Sequence, residues 1–126
     1  MRIVDIEIYR DGGSIEFTIK SAGTTKHIWL ETPFSGEPRN LLINSVPVER
    51  GSTDVKELLE EIEKWWVALP SSTRKAVDRC LSHKGPYFNP SPEESVAIDL
   101  SRVIEVRDYI RNVYSGSTIL PYTGDA

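Results

Sequence analysis

The chain has 126 residues, a length that suits one domain and allows a hydrophobic core without disulfide or metal support. Its 39% hydrophobic and 27% charged residues exclude disorder of the whole chain, and a net charge of −4 disfavours general binding to nucleic acid or anionic membranes. The single cysteine excludes an internal disulfide, and no apolar run reaches the roughly 20 residues of a membrane-spanning helix.

Residues 1–31 carry the two-residue alternation of β-strands. The apolar positions of the three runs are Val4, Ile6 and Ile8, then Ile15, Phe17 and Ile19, then Ile28 and Leu30. Ile3 is predicted on the polar face at the sheet edge, and His27 and Trp29 on the face opposite Ile28. Short glycine-containing turns at 10–13 and 21–24 therefore predict an antiparallel meander of three strands.

Residues 32–53 are less regular, because breakers fill 32–38. Residues 41–43 and 46–48 flank Asn44 and Ser45, a pattern that fits a short second hairpin. Pro47 cannot donate a ladder hydrogen bond, so its strand is expected at the edge of the sheet.

Two helices follow. The first is predicted to begin near Asp54, with Glu57 completing a capping box, and to end before Pro70. Its apolar stripe is Val55, Leu58, Leu59, Ile62, Trp66 and Leu69. The second is expected to be capped by Ser71 or Ser72 and stopped at 85–86. Its inner face holds Ala76, Val77, Cys80 and Leu81.

A third helix is predicted from Ser91 as N-cap, with Pro92 at the first helical position. Its stripe is Val96, Leu100, Val103, Ile104, Ile110 and Val113. The alternative makes 96–100 a short strand and lets Ser101 cap a helix to Tyr114. The fold class is thus α+β: an N-terminal antiparallel meander of three to five strands packed against about three helices. Residues 1–114 are predicted to form one domain and residues 115–126 a C-terminal tail.

Few residues suggest chemistry. Cys80 and His83 are spaced for one face of a helix, but a tetrahedral zinc site needs three or four ligands and His27 is the other histidine. There is no Gly-x-Ser-x-Gly elbow and no phosphate-binding glycine loop. We therefore predict no catalytic residue, no metal and no cofactor.

Charge is uneven along the helices. Residues 54–64 hold five acids against Lys56 and Lys64, whereas residues 71–84 hold four bases against Asp78. If Trp66 faces the core, Trp65 lies about 100° away and is partly exposed. Acids around exposed aromatics are typical of binding surfaces. The predicted partner-binding residues are Glu57, Glu60, Glu61, Trp65 and Trp29.

The sequence therefore favours a non-catalytic protein-binding domain whose partner has a basic surface, with a cytoplasmic location. Bacterial immunity proteins, which neutralise a toxin domain, are often small, acidic and without catalytic residues, and the chain is similar to them in this general character. One alternative is a small enzyme with a site assembled from dispersed polar residues, marked by a histidine beside a carboxylate in a pocket. Another is a nucleic-acid-associated protein that uses Arg74, Lys75, Arg79 and Lys84 of the second helix.

Overall fold

A computed structural model describes residues 1–9, 13–33, 38–82 and 92–114. Its strands are β1 (Arg2–Ile8), β2 (Ile15–Ser21), β3 (Thr24–Glu31), β4 (Asn40–Ile43) and β5 (Val46–Pro47). Its helices are α1 (Thr53–Ala68), α2 (Ser71–Ser82) and α3 (Pro92–Tyr109), and α3 runs into a π-helical turn at Ile110–Tyr114. The predicted α+β arrangement is confirmed. The predicted Ser91 cap, the 85–86 stop and the 115–126 tail lie outside the described residues.

The five strands form one antiparallel sheet in the order β1-β2-β3-β4-β5. The β2–β3 turn has positive φ at Ala22 and Gly23, as two-residue hairpin turns require. Asn44 and Ser45 also have positive φ, which confirms the second hairpin. Pro47 lies on the last strand, at the edge where its missing N–H breaks no ladder.

A β-bulge shifts the alternation of β1. Ile3 pairs with Ile19 and Val4 with Thr18, but the next pair is Glu7 with Glu16, so β1 has one extra residue there. Asp5 absorbs the change at φ 54°. The prediction that placed Val4 on the core face and Ile3 on the polar face is therefore wrong, since the bulge reverses the phase of the strand before it.

The helices cover one face of the sheet, here called the inner face. Ile15, Phe17 and Ile28 lie on it, each at most 1% exposed, and share one core with the helices. The helical contribution comes from Val55, Leu58, Ile62, Trp65, Val77, Ala97, Val103, Ile104, Val106, Ile110 and Tyr114. α3 contacts β1 and β2, and α2 packs along α3. No helix of the described ranges is long and apolar enough to cross a membrane.

The cap of α1 differs from the predicted one. Ser52 is the N-cap, and its hydroxyl accepts a hydrogen bond from the Val55 N–H at 3.4 Å. Asp54 lies inside the first turn, where its charge favours the helix N-terminus. The Asp54–Glu57 capping box is therefore wrong by two residues. Leu69, extended before Pro70, ends the helix as predicted.

α3 is one continuous helix, as preferred over the strand alternative. Val96 is 54% exposed and Ala97 is buried, so the predicted stripe is wrong at its first position. The π turn brings Tyr109 and Tyr114, five residues apart, to the same segment. Both hydroxyls bond the Arg39 carbonyl oxygen, and the Leu41 N–H donates to Tyr114 at 3.1 Å. The end of α3 thereby fixes the start of β4.

Candidate functional site

The three predicted carboxylates of α1 differ in their surroundings. Glu57 and Glu60 are exposed on the helix. Glu61 is half-buried and forms an ion pair with Lys26 of β3 at 2.6 Å. Lys26 pairs with Ile19 in the sheet and so lies on the inner face. Glu61 therefore ties the helix to the sheet, and Glu57 and Glu60 are the predicted carboxylates that face solvent.

The two adjacent tryptophans of α1 are arranged opposite to the prediction. Trp65 is 8% exposed and belongs to the core, whereas Trp66 is half-buried at the rim. Residues at i+3 and i+4 from Ile62 both suit a helical stripe, so spacing could not separate them. Trp66 is instead covered by the Arg107 guanidinium of α3, 5.8 Å from the ring centroid. The predicted exposure of Trp65 is wrong.

Trp29 lies on the other side of the molecule from α1. Because side chains alternate along β3, Lys26, Ile28 and Leu30 point to the inner face and Trp29 points away from it. Trp29 is half-buried, and it faces outward as predicted. The structure thus does not bring Trp29 together with Glu57 and Glu60, since the sheet and its core separate them.

Trp29 belongs to a row of side chains that crosses all five strands on the outer face of the sheet. The register pairs Glu7 with Glu16, Glu16 with Trp29, Trp29 with Leu42, and Leu42 with Pro47. We call these five residues the outer row. It is acidic at the β1 end, aromatic in the middle and apolar at the β5 end.

Tyr9 packs on the middle of the outer row. Its ring lies 5.1 Å from the Trp29 ring, centroid to centroid, and its hydroxyl donates a hydrogen bond to the Glu16 carboxylate. The hydrogen bonds to Glu16 and Glu7, with smaller contributions from desolvation and charge, raise the pKa of the Tyr9 phenol well above its usual value. The phenol therefore keeps its proton, and its hydrogen bond to Glu16, to higher pH than an ordinary tyrosine.

A groove of about 380 Å³ runs beside this aromatic pair. Its lining includes Glu16, His27, Trp29, Leu42 and Ser45. His27 is exposed, and its Nδ1 lies 3.3 Å from the Thr18 hydroxyl. The groove is an open surface feature whose lining includes both an imidazole and a carboxylate.

The outer face also carries cations at a distance from the outer row. Arg2 pairs with Lys20, and Lys20 lies four residues after Glu16 along β2. At about 3.3 Å per residue, roughly 13 Å separate Lys20 from Glu16 along the strand. That separation exceeds the screening length of about 8 Å at physiological salt, so these cations do not neutralise the outer row.

A second, wider groove of about 650 Å³ lies where β5 approaches the start of α1. Val46, Pro47 and Val48 contribute its apolar lining, and Lys26, Ser52 and Asp54 are among its polar lining residues. Val46 is 61% exposed. Pro47 belongs to both the outer row and this groove, so the apolar end of the row continues around the sheet edge.

Sequence reasoning missed most of the outer row. It placed Trp29 outward but did not join it to Tyr9, Glu16 or Leu42, because strand register is not visible in a single sequence. The alternation did place Glu16 opposite the apolar positions of β2, so a pairing of the two predicted hairpin strands could have found that neighbour. The alternation of β1 also placed Glu7 on the polar face, as the structure does, so what the sequence analysis missed is the pairing of Glu7 with Glu16.

The structure places the other residues considered for nucleic-acid and metal binding as follows. Lys75 and Arg79 of α2 are exposed and Arg74 is half-buried, while Lys84 lies outside the described residues. Cys80 is half-buried in α2, and His83 is likewise outside the described part. Within the described residues, no group of three or more His, Cys, Asp or Glu side chains is arranged to hold a metal ion.

Comparison with known proteins finds no matching family model and no match among curated proteins or solved structures.

Proposed function

We propose that the chain is a non-catalytic protein-binding domain that captures a partner with a basic surface through the outer row and Tyr9. The observation that carries this proposal is the Tyr9–Trp29 ring pair, half-buried on the outer sheet face beside the paired carboxylates of Glu7 and Glu16. Tryptophan and tyrosine are enriched among the residues that dominate binding energy at interfaces. Nearby carboxylates steer a basic partner and fix its orientation.

Binding is favoured over catalysis by the form of the groove. His27 and Glu16 line it together, which is what the enzyme alternative requires. However, His27 is exposed and the groove lies open along the sheet, so water would reach both groups freely. Catalytic sites gain most of their power by excluding water from preorganised charges. An open aromatic surface suits a macromolecular partner better.

The specific form we propose for the partner is a toxin domain that the chain neutralises by covering a basic cleft. This proposal draws on the net charge of −4 and on the small size of the chain. The exposed carboxylates Glu57 and Glu60 are a second candidate surface, on the opposite side of the molecule. The two surfaces can be separated experimentally because the sheet and its core lie between them.

The test begins with capture of the partner from native cells by cross-linking, followed by its purification and by calorimetric titration. Trp29→Ala is expected to raise the partner's dissociation constant at least 30-fold, the effect of losing about 2 kcal/mol at a central aromatic. Glu16→Gln, which keeps the side-chain shape, is expected to weaken binding roughly tenfold. Circular dichroism of both variants verifies that they fold.

The matched control is the double variant Glu57→Gln with Glu60→Gln, which removes two charges from α1 and leaves the outer row intact. We expect it to bind the partner within about twofold of the unmodified chain, because exposed charges outside an interface contribute little. If this control loses affinity and Trp29→Ala does not, the binding surface is α1 and the assignment to the outer row is wrong.

A further inference from the structure

We infer that the outer row docks a partner segment in one direction, with a cationic side chain over Glu7 and Glu16 and an apolar side chain over Leu42 and Pro47. This inference rests on the proposed function. It adds the chemistry of the docking segment and the direction in which that segment crosses the strands.

Among the described residues, no ion pair reaches the acidic end of the row. Glu7 and Glu16 lie directly opposite each other in the β1–β2 ladder, an arrangement in which like charges destabilise a sheet. The ion pairs found among the described residues involve Glu61, Glu63, Glu105 and Asp108, and neither of these two carboxylates. The Tyr9 hydroxyl donates a hydrogen bond but brings no charge. A cation from outside would offset both negative charges.

The middle of the row suits the same cation. Trp29 lies directly opposite Glu16, and the groove runs along both side chains. A guanidinium or ammonium group over an indole face gains roughly 0.5–1 kcal/mol at an exposed site. A carboxylate beside the indole adds a charge-assisted hydrogen bond. An arginine or lysine side chain therefore finds two complementary groups within one strand spacing.

The apolar end has different requirements. Leu42 is half-buried, Pro47 is exposed, and exposed Val46 continues the apolar surface around the edge of β5. A side chain placed there gains by removing apolar area from water, and a charge would lose hydration. The two ends thus select different side chains, which gives the row a direction.

Charge elsewhere on the outer face limits where along β1 and β2 a cation docks. Arg2 lies five residues from Glu7 and Lys20 four residues from Glu16, and both would repel a cation that docked over the start of β1. A second copy of this chain is a poor occupant, since two molecules of net charge −4 repel each other. The favoured occupant is a basic and apolar segment of another protein.

The distance across the row sets the length of the segment. Five strands have four gaps of about 4.8 Å, which gives roughly 19 Å from Glu7 to Pro47. An extended peptide rises about 3.3 Å per residue, so about six residues cover this distance. The probe is therefore the hexapeptide Arg-Arg-Ser-Ser-Leu-Leu, with a nitroxide attached at its arginine end or, in a second sample, at its leucine end.

Nuclear magnetic resonance of the full chain at millimolar peptide tests the inference. With the nitroxide at the arginine end, the amide signals of Glu7 and Glu16 are expected to lose the most intensity. With the nitroxide at the leucine end, Leu42 and Val46 are expected to lose the most. The Trp29 indole signal should shift saturably in both titrations.

Variants and a control peptide make the outcome decisive. The double variant Glu7→Gln with Glu16→Gln is expected to raise the peptide's dissociation constant at least fivefold, and Glu57→Gln with Glu60→Gln to leave it unchanged. Replacing both arginines of the peptide with citrulline, which is neutral and nearly isosteric, should have the same effect as the first double variant. The inference is overturned if each nitroxide broadens the amide signals at the acidic and the apolar end of the outer row equally. It is also overturned if the Trp29 indole signal shows no saturable shift.

Failure of this inference differs from failure of the proposed function. If the peptide does not bind the outer row but binding of the native partner still requires Trp29, only the directed basic-to-apolar segment is rejected. A native partner that is indifferent to Trp29 rejects the outer row as the binding surface.

Discussion

Single side chains decide where the surface of this molecule ends and its core begins. Trp65 and Trp66 are adjacent and chemically identical, yet one is 8% exposed in the core and the other is at the rim beneath Arg107. Trp65 belongs to the buried core shared by the sheet and the helices, whereas Trp66 lies against Arg107 of α3. This difference in burial is expected to appear in the free energy of unfolding of the two alanine variants.

Trp65→Ala is expected to lower the free energy of unfolding by about 3–5 kcal/mol, because it empties a large volume in a close-packed core. Trp66→Ala, the matched control, should cost clearly less, since its ring is half in water already. Urea denaturation followed by circular dichroism measures both. A larger loss for Trp66 than for Trp65 would show that the two indoles are placed the wrong way round.

The ionisation of Tyr9 leads to a prediction about how the stability of the fold depends on pH. Its folded-state pKa is raised, chiefly by the hydrogen bond to Glu16, so folding favours the protonated phenol. The stability that this hydrogen bond contributes is fully present below the ordinary tyrosine pKa near 10 and is lost as pH rises beyond it.

Ultraviolet difference spectra between the unmodified chain and Tyr9→Phe isolate this phenol during alkaline titration. We expect the tyrosinate difference signal to develop only above pH 10, later than that of a tyrosine in a short model peptide. Glu16→Gln, which removes the main acceptor charge, should move the signal to lower pH. Ionisation of Tyr9 at the ordinary pH in the unmodified chain would refute the hydrogen-bonded geometry.

At the scale of elements, the end of α3 and the start of β4 form one unit. The π turn places Tyr109 and Tyr114 over residues 39–41, and Tyr114 accepts the Leu41 N–H that short β5 leaves unpaired. A short edge strand and a tyrosine hydroxyl thus complete the hydrogen bonding of β4 together.

Tyr114→Phe is expected to leave the buried Leu41 N–H without an acceptor, at a cost of about 1–3 kcal/mol. Hydrogen exchange should therefore become faster at the Leu41 amide than at the amides of β2. Tyr109→Phe serves as the control, because its hydroxyl bonds Arg39 and not Leu41. Unchanged exchange at Leu41 in Tyr114→Phe would contradict this role.

Most of the strands and helices could be predicted from the sequence, because the signals that specify them are local. Period-two alternation and paired turn residues such as Asn44 and Ser45 are local signals, so the meander and the edge position of Pro47 followed from sequence. Three elements of local detail were missed: the Ser52 cap, the bulge at Asp5 and the exposure of Val96. The bulge and the exposure of Val96 depend on packing against distant segments, whereas the Ser52 cap is a local hydrogen bond to the Val55 N–H that competed with the Asp54 alternative.

The candidate site was less predictable than the fold. The outward direction of Trp29 followed from alternation, but its neighbours Glu16, Leu42 and Tyr9 lie on three other segments of the chain. Their meeting depends on strand register, which a single sequence does not encode locally. The predicted grouping of Trp29 with the α1 carboxylates ignored the sheet that separates them.

In the molecule as a whole, the two faces of the sheet differ: helices cover the inner face, and the acidic-to-apolar outer row lies on the outer face. One side of the sheet stabilises the fold, and the other presents paired rings and carboxylates to solvent. We propose that this division is what lets a small domain keep a stable core while it binds a partner.

Salt should weaken partner binding if the carboxylates of the outer row steer it. We expect the dissociation constant to rise with sodium chloride concentration, and Glu7→Gln with Glu16→Gln to flatten that dependence, because screening acts on charges that the variant lacks. Calorimetric titration at several salt concentrations measures both slopes. If the dissociation constant depends on salt equally in the unmodified chain and in the variant, these carboxylates are not part of the interface.

The most direct measurement is hydroxyl-radical footprinting of the free protein and of its complex with the purified partner, read by mass spectrometry. We expect oxidation of Tyr9, Trp29 and Leu42 to fall severalfold in the complex, while exposed Val67 on α1 reacts as before. Unchanged oxidation of Trp29 in a saturated complex would contradict the claim that the outer row is the binding surface.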